Sequence, residues 1–256
     1  MIATEINARV AKNEISEKEV AVKKLAIMQP YFLPYIGYFQ LFKAADEFII
    51  YDNIEYTKKG WINRNQFVLN GKTQLFSIPL EKSSDYLDVV QKIISPEFEK
   101  ERKKILAQIH SGYRKAPEFK NVYPLMEEVF MYDNKNLFEF TLHSVQKVTA
   151  FLGINIPIKV SSKFDVDHNL KGSAKVRSLA KAANADYYIN PIGGQCLYSV
   201  DEFKADGIDL KFHNYRPIPY TQVDVSEFIS HMSIIDVLMN NSPQQVQVHL
   251  QSYEVL

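Results

Sequence analysis

The chain has 256 residues, of which 46% are hydrophobic and 12% aromatic, and its 30 basic side chains balance its 30 acidic ones. These values are typical of a globular protein with a large core, and a net charge of zero excludes whole-protein electrostatic attraction to nucleic acid or to an anionic membrane. A single cysteine excludes an internal disulfide framework, no apolar run approaches the roughly 20 residues of a membrane span, and the polar N-terminus lacks a signal-peptide core, so we expect a cytoplasmic protein.

The first elements in the chain predict the start of an α/β fold. Residues 1–23 read as a polar N-terminal extension, and residues 24–256 are expected to form a single α/β domain. KLAIMQP predicts a buried strand ended by Pro30, IGYFQLFKAA a short helix and EFIIYD a second buried strand. In NQFVLNGKTQLFSIPL, the pair Asn70-Gly71 favours a type I′ turn and therefore predicts a β-hairpin.

The middle of the chain is predicted to be helical. Ser95 followed by Pro96 indicates a helix N-terminus, and amphipathic segments then run to Gly153, which predicts a helical insertion over about residues 95–152. Strands are predicted next at IPIKVSS, DYYIN and IDLKFHNY, with helices between them at KVRSLAKAANA and SVDEFKADG. FISHMSIIDVLMNNS and SPQQVQVHLQSYEVL predict C-terminal helices. The expected fold class is α/β with a mainly parallel Rossmann-like sheet.

The turn MQPYFLPYIGYF follows the first predicted strand and contains five aromatic rings. Open α/β proteins bind ligands at the carboxyl ends of their strands, so this turn is a candidate binding segment. Phe32 and Phe39 are expected to pack the helix onto the sheet, whereas hydroxyl and amide groups need polar partners. Gln29, Tyr31 and Tyr35 are therefore predicted to contact substrate.

A second polar segment, YDNIEYTKKGWINRNQ, follows the second predicted strand. Asp52 is placed to act as a general base or to anchor an amine. Trp61 offers a flat face for a sugar or a base, and Arg64 can clamp a phosphate or carboxylate. Lys59 and Asn65 complete the predicted contacts. The alternative is a solvated loop in which Asp52 caps a turn and pairs with Arg64.

Two later loops also follow predicted strands. The carboxyl ends of parallel strands meet at one edge of a sheet, so these loops are expected to converge with the earlier ones. The Gly-Gly pair suits a backbone anion cradle or a simple tight turn. The predicted substrate contacts are Ser161, Ser162, Asn190, Gly193, Gly194 and Tyr198.

The segment NYRPIPYTQ, which we call the strap (residues 214–222), is pinned by two prolines and is predicted to cover a pocket. Tyr220 and Gln222 are its predicted substrate contacts. Asp236 lies on a predicted helix beyond it and needs a partner, either the strap or neighbouring backbone. His231 is a second candidate base, with a surface or capping role as the alternative. The scattered histidines predict no metal site.

The opening strand, loop and helix are similar to the start of the nucleotidylyltransferase superfamily, in which two histidines around a glycine hold nucleotide phosphates. This chain has Tyr35-Ile-Gly-Tyr38 at that place. The resemblance is an analogy of fold, and it keeps an ATP-dependent ligase or nucleotidyltransferase-like enzyme as an alternative function.

Several segments together resemble the WbqC-like proteins of bacterial surface-polysaccharide gene clusters. They are QPYFLPYIGYF, IIYDNIEYTKKGWINRN, the paired serines, YYINPIGGQCLY, and PYTQ followed by MSIIDVLMNN, in order from about residue 25 to 242. The family's usual start has His or Ser before Gln-Pro. This chain has Met28 there, so only Gln29, Pro30 and Gly37 are carried over.

The resemblance implies a transferase of O-antigen biosynthesis that attaches an aminoacyl group, such as glycine, to the amine of a nucleotide-linked amino-deoxy sugar. The base would be Asp52 or His231, and the oxyanion donors would be the Gly193-Gly194 amides or Asn190. No cofactor is certain: a carrier-protein thioester, an aminoacyl-tRNA and an adenylate made from ATP all satisfy the chemistry. A non-catalytic module that binds a glycan or protein partner is a further alternative. Neither membrane insertion nor a strong nucleic-acid signature is expected.

Overall fold

A six-stranded sheet lies at the centre of the computed structural model, which describes residues 22–84 and 86–256. The predicted N-terminal extension lies outside these residues except for Val22 and Lys23. In chain order the strands are β1 (Lys24–Met28), β2 (Glu47–Ile50), β3 (Arg64–Leu69), β4 (Lys72–Ser77), β5 (Ile158–Val160), β6 (Tyr187–Pro191), β7 (Asp209–Tyr215) and β8 (Tyr253–Val255). The helices are α1 (Ile36–Ala44), α2 (Phe98–Tyr113), α3 (Phe119–Phe130), α4 (Leu137–Phe151), α5 (Gly172–Ala182), α6 (Val200–Ala205), α7 (Ile234–Asn240) and α8 (Pro243–Gln251).

The order of the strands confirms the predicted Rossmann-like sheet. It is β5-β2-β1-β6-β7-β8, and neighbouring strands are parallel except for β7 and β8. The chain moves outwards from β1 through β2 to β5 and then returns to place β6 on the other side of β1. Helix α1 packs on one face, whereas α5 and α6 pack on the other, as right-handed crossovers require when the direction of winding changes. The topological switch point therefore lies between β1 and β6.

Side chains of the central strands alternate between two apolar cores. On β1, Leu25 and Ile27 face the core shared with α5 and α6, and Ala26 faces the core shared with α1 and the helices of the insertion. Because both faces are covered, the strand is buried on both sides, which explains its continuous apolar sequence. None of the helices in the described part of the chain is long and apolar enough to cross a membrane.

The hairpin and the helical insertion also form as predicted. Strands β3 and β4 pair around Asn70 and Gly71, whose φ angles of 52° and 71° are those that a type I′ turn requires. Helices α2, α3 and α4 follow. Helix α2 begins at Phe98 rather than at Pro96, because the Ser95 hydroxyl accepts the Glu97 N–H (3.3 Å) within a preceding turn.

The C-terminal helices are shorter than predicted. Helix α7 begins only at Ile234, because Gln222 binds both backbone groups of Ile229 (2.8 and 3.0 Å) and His231 has a φ of 58°. The last residues were predicted as helix but form β8. They pair antiparallel with β7, whose backbone groups would otherwise be an open sheet edge.

Candidate functional site

A cavity of about 390 Å³ opens at the carboxyl edge of the sheet, at the switch point between β1 and β6. The turns after β1, β2 and β6 form its walls, and we call it the switch-point cavity. No residue of the described lining carries a charged side chain. An uncharged, aromatic cavity suits a sugar ring or a base better than a phosphate. Its polar side chains are Gln29, Tyr31, Tyr35, Tyr51, Asn190 and Tyr198.

The turn after β1 is fixed by the fold around it. Leu33 has a φ of 45°, a conformation that residues with side chains rarely adopt. Its carbonyl oxygen accepts hydrogen bonds from Asn65 Nδ2 (2.8 Å) and Ser233 Oγ (2.7 Å). Strained backbone persists only where its surroundings determine it, so these bonds set the course of the turn. Asn65 is buried and supports the turn from behind.

Tyrosine and glutamine side chains of this turn form the first wall of the cavity. Tyr31 Oη donates to Gln29 Oε1 (3.1 Å), and Tyr38 Oη donates to the Gln29 carbonyl (2.9 Å). Burial raises the pKa of Tyr31 and of Tyr35, so both phenols keep their protons at neutral pH. A Cβ atom on Gly37 would lie 2.2 Å from the Tyr35 ring. Only glycine there allows the ring to fold back over α1.

The loop after β6 forms the opposite wall. Asn190 Oδ1 accepts a hydrogen bond from Tyr188 Oη (3.0 Å), and its Nδ2 donates to the Pro191 carbonyl (3.0 Å). A Cβ atom on Gly194 would lie 2.3 Å from Asn190 Nδ2, whereas a Cβ atom on Gly193 would meet nothing within 4 Å. The predicted Gly-Gly pair therefore has two different roles: Gly194 permits close approach of the amide, and Gly193 leaves the wall open.

Two tyrosines complete the cavity. Tyr198 was predicted as a contact, and burial raises its pKa. Tyr51 was not predicted, although burial also raises its pKa and its side chain lines the same cavity. Its position at the end of β2, next to Asp52, was the available signal. The pattern EFIIYD instead predicts Tyr51 as part of the buried strand.

Asp52 lies beside the cavity, in a cluster between the ends of β2 and β5. Its Oδ1 accepts hydrogen bonds from Ser161 Oγ (2.9 Å) and from the Ser162 N–H (3.0 Å). Lys175 on α5 donates to the Asn53 carbonyl (2.9 Å), and burial lowers its pKa against the opposing effect of nearby carboxylates. The structure thus brings these three predicted residues together, where they bind one another. Lys175 approaches this cluster through tertiary packing alone, which no sequence pattern predicts.

Arg64, Lys59 and Trp61 lie outside the lining of the switch-point cavity. The Arg64 guanidinium donates to the carbonyls of Gly60 (3.0 Å) and Lys59, and it lies 5.6 Å from the centroid of the Trp61 ring, which is 41% exposed. Within the described ranges Arg64 does not pair with Asp52. It lines a second cavity described below.

The polar residues of the strap bind a buried carboxylate. Asp236 Oδ2 accepts hydrogen bonds from Tyr220 Oη (2.6 Å) and Gln222 Nε2 (2.7 Å), and its Oδ1 accepts one from Tyr113 Oη (2.7 Å). Burial raises the pKa of Asp236, and these hydrogen bonds act in the opposite direction. The strap and α2 are therefore the partners that Asp236 needs, and this cluster lies outside the lining of the switch-point cavity.

His231 lies at the rim of the cavity. Its exposed ring is 5.5 Å from the Tyr35 ring and 5.3 Å from the Tyr215 ring, measured between centroids, and its Nδ1 lies 2.9 Å from Ser230 Oγ. Burial raises the pKa of Tyr215 to about 12. Among residues 22–84 and 86–256, no group of three or more His, Cys, Asp or Glu side chains could hold a metal ion.

Comparison with known proteins identifies a family. The model of the WbqC-like protein family matches residues 29–248. A relative, the uncharacterized protein Rv1507c of Mycobacterium tuberculosis (strain ATCC 25618 / H37Rv), is 25% identical over 227 residues, which cover 86% of this chain and 94% of the relative. No solved structure matches this chain. The range matched by the family covers the lining of the switch-point cavity except for Ile27 and Met28.

Proposed function

Because the chain belongs to the WbqC-like protein family, we propose that it is an enzyme of surface-polysaccharide (O-antigen) biosynthesis that transfers an aminoacyl group, such as glycine, to the amine of a nucleotide-linked amino-deoxy sugar. The observation that carries this proposal is the uncharged switch-point cavity lined by tyrosines and amides. Flat rings and fixed amides are the groups that bind a sugar ring, and the switch point is where doubly wound sheets bind their ligands.

The reaction needs a base and a group that stabilises an oxyanion. The amine nitrogen attacks the acyl carbonyl carbon, an N–C bond forms, and the bond to the donor's leaving group breaks while a proton passes from nitrogen to the base. We assign the base to His231, because its ring is exposed and packs on Tyr35 at the rim. Backbone N–H groups of Gly193 and Gly194 are our candidates for the oxyanion.

Asp52 is the second candidate base. One of its oxygens already accepts two hydrogen bonds from the loop after β5, and its side chain is outside the cavity lining. We therefore assign Asp52 the task of holding the loops after β2 and β5 together. The acyl donor stays open between a carrier-protein thioester, an aminoacyl-tRNA and an adenylate made from ATP.

The experiment that tests this function measures binding and turnover separately. Nucleotide-linked 3-amino and 4-amino sugars should raise the melting temperature more than the same nucleotides without sugar, because the sugar ring adds contacts in the native state. His231→Gln should keep this binding and lose about a hundredfold in aminoacyl transfer, which is the usual contribution of a general base. Asp52→Asn should keep both within about tenfold.

The opposite outcomes point to the alternatives. Stabilisation by ATP alone, with release of pyrophosphate, would favour the ATP-dependent ligase. Binding of a glycan without turnover under any donor would favour a non-catalytic binding module. Loss of transfer in Asp52→Asn with normal transfer in His231→Gln would reverse our assignment of the base.

A further inference from the structure

A second cavity, of about 520 Å³, lies between the β3–β4 hairpin, residues 78–83 and Lys92, and we call it the hairpin cavity. Its described lining differs from that of the switch-point cavity in being basic. Arg64, Lys82 and Lys92 contribute cationic groups, and Glu81 is the single carboxylate among the described lining residues. Lys58 also lines the cavity, but it already has a partner.

Lys92 is the most unusual of these cations because it is buried. Lys92 is only 3% exposed, and its ammonium group donates to the Ser84 carbonyl (2.6 Å) and to Ser83 Oγ (3.2 Å). It also lies 4.9 Å from the centroid of the Tyr56 ring. These partners are neutral. Because no ion pair between described residues includes Lys92, its buried charge is costly there, and an anion beside it would be strongly favoured.

Arg64 is held in place before any ligand arrives. Two of its nitrogens donate to the carbonyls of its own loop, and the guanidinium stays beside Trp61. Because the group is already ordered, little side-chain entropy would be lost when its remaining N–H groups bind an oxyanion.

Several basic side chains elsewhere in the described part of the protein have carboxylate partners. Pairs such as Arg177 with Asp206 and Lys159 with Glu47 show this pattern. None of the ion pairs found between described residues includes Arg64, Lys82 or Lys92. Three cations that take part in none of these ion pairs therefore line one polar cavity.

We infer that the hairpin cavity is a second binding site, which takes the phosphate group of a ligand. Phosphate oxygens would accept charge-assisted hydrogen bonds from the guanidinium and the two ammonium groups. One chain segment contributes to both cavities, since Ile54 lines the switch-point cavity and Tyr56 lines the hairpin cavity. One cavity thus offers rings and amides to a neutral group, and the other offers positive charge.

The identity of the phosphate-bearing ligand rests on the proposed function. It is either the nucleoside diphosphate that carries the amino sugar or an acyl donor that contains a phosphate, such as a phosphopantetheine thioester or ATP. The charge distribution itself does not depend on the proposed reaction.

Titration calorimetry of the full chain with inorganic pyrophosphate tests the site directly. We expect saturable binding that weakens as NaCl is raised, because salt screens the attraction between charges. Lys82→Gln removes an exposed lining charge and should weaken binding about tenfold, and Lys92→Met should weaken it at least as much. Lys120→Gln, an exposed lysine on α3 outside this lining, is the matched control and should leave the affinity unchanged.

Two results would overturn the inference: no saturable binding of pyrophosphate at low salt, or equal weakening by Lys82→Gln and Lys120→Gln. The Lys82→Gln result decides the matter even if Lys92→Met does not fold. Titrations with a nucleoside diphosphate, ATP and phosphopantetheine then separate the sources of the phosphate. Pyrophosphate binding in a protein that binds no amino sugar would support this site and contradict the proposed function.

Discussion

The switch-point cavity and the Asp236 cluster contain the same kinds of side chain but use them differently. In the Asp236 cluster, Tyr113, Tyr220 and Gln222 all donate to one buried carboxylate. At the switch point, tyrosines from three turns surround a cavity of about 390 Å³. The comparison shows that residue type alone does not distinguish a binding site from a cluster that stabilises the fold. What separates them is whether the polar groups satisfy one another within the chain or face open space.

The position of each group in the fold explains this difference. The tyrosines of the cavity stand at the carboxyl ends of β1, β2 and β6, where the strands diverge and the sheet leaves a crevice. Asp236 stands on α7, packed between α2 and the strap, and its carboxylate joins segments that are far apart in sequence. The first region should therefore govern binding, and the second should govern stability.

The largest effect on stability is expected from Asp236→Ala, which tests the Asp236 cluster. The substitution leaves the hydroxyls of Tyr113 and Tyr220 and one N–H of the Gln222 amide without their acceptor, and each loss costs about 1–3 kcal/mol. We expect the free energy of unfolding to fall by roughly 4 kcal/mol or more in urea denaturation. Glu227→Ala, which removes an exposed carboxylate beyond the strap, is the control. Equal unfolding midpoints for the two variants would show that the cluster does not hold the strap.

A somewhat smaller effect on stability is expected from His213 on β7. This buried polar residue belongs neither to the Asp236 cluster nor to the lining of the switch-point cavity. Its Nε2 has no hydrogen-bond partner among the described residues, and burial lowers its pKa to about 4. The ordinary pKa of histidine is about 6.5, so the stability that comes from keeping this ring neutral is present above pH 6.5 and is lost as the pH falls towards 4.

The loss over that range is up to about 3 kcal/mol, measured as the free energy of unfolding at each pH. His213→Phe should flatten the curve between pH 6.5 and 4, whereas His110→Gln, at an exposed ring, should not. A curve with the same slope in His213→Phe as in the unaltered protein would mean that other groups cause the acid sensitivity.

A third effect, about 1–2 kcal/mol in binding, is expected from Gly194→Ala at the cavity wall. The added methyl group would collide with the Asn190 amide, which must move or turn, whereas Gly193→Ala places the same group in open space. Binding of the amino-sugar nucleotide should weaken about tenfold or more in Gly194→Ala and stay unchanged in Gly193→Ala. Identical affinities in both variants would show that Asn190 does not shape the site.

Much of the fold could be predicted from local patterns. The apolar run of β1, the Asn70-Gly71 turn and the helices of the insertion are set by neighbours in sequence, and the parallel sheet then predicts which loops converge. Two predicted features failed because distant contacts decide them. β8 replaces the end of a helix by pairing with β7, and α7 starts late because Gln222 holds Ile229.

Parts of the candidate sites could not be predicted from the sequence for a related reason. Lys175 approaches the Asp52 loop from a helix more than a hundred residues later. Lys82 and Lys92 line the same cavity as Arg64, although neither belongs to the hairpin. A sequence pattern predicts the periodicity of a helix or strand and the type of a turn. It does not predict which charged side chain will lack a partner in the folded chain.

The most direct test of the central claim is the affinity of Tyr35→Ala for a nucleotide-linked amino sugar, measured by titration calorimetry beside Tyr86→Ala. Tyr35 lines the switch-point cavity, and Tyr86 is an exposed tyrosine outside it. Our account predicts that Tyr35→Ala weakens binding of the sugar nucleotide about tenfold, since ring contacts are worth on the order of 1 kcal/mol, and that Tyr86→Ala does not change it. Unaltered affinity in Tyr35→Ala would contradict the assignment of this cavity as the sugar site.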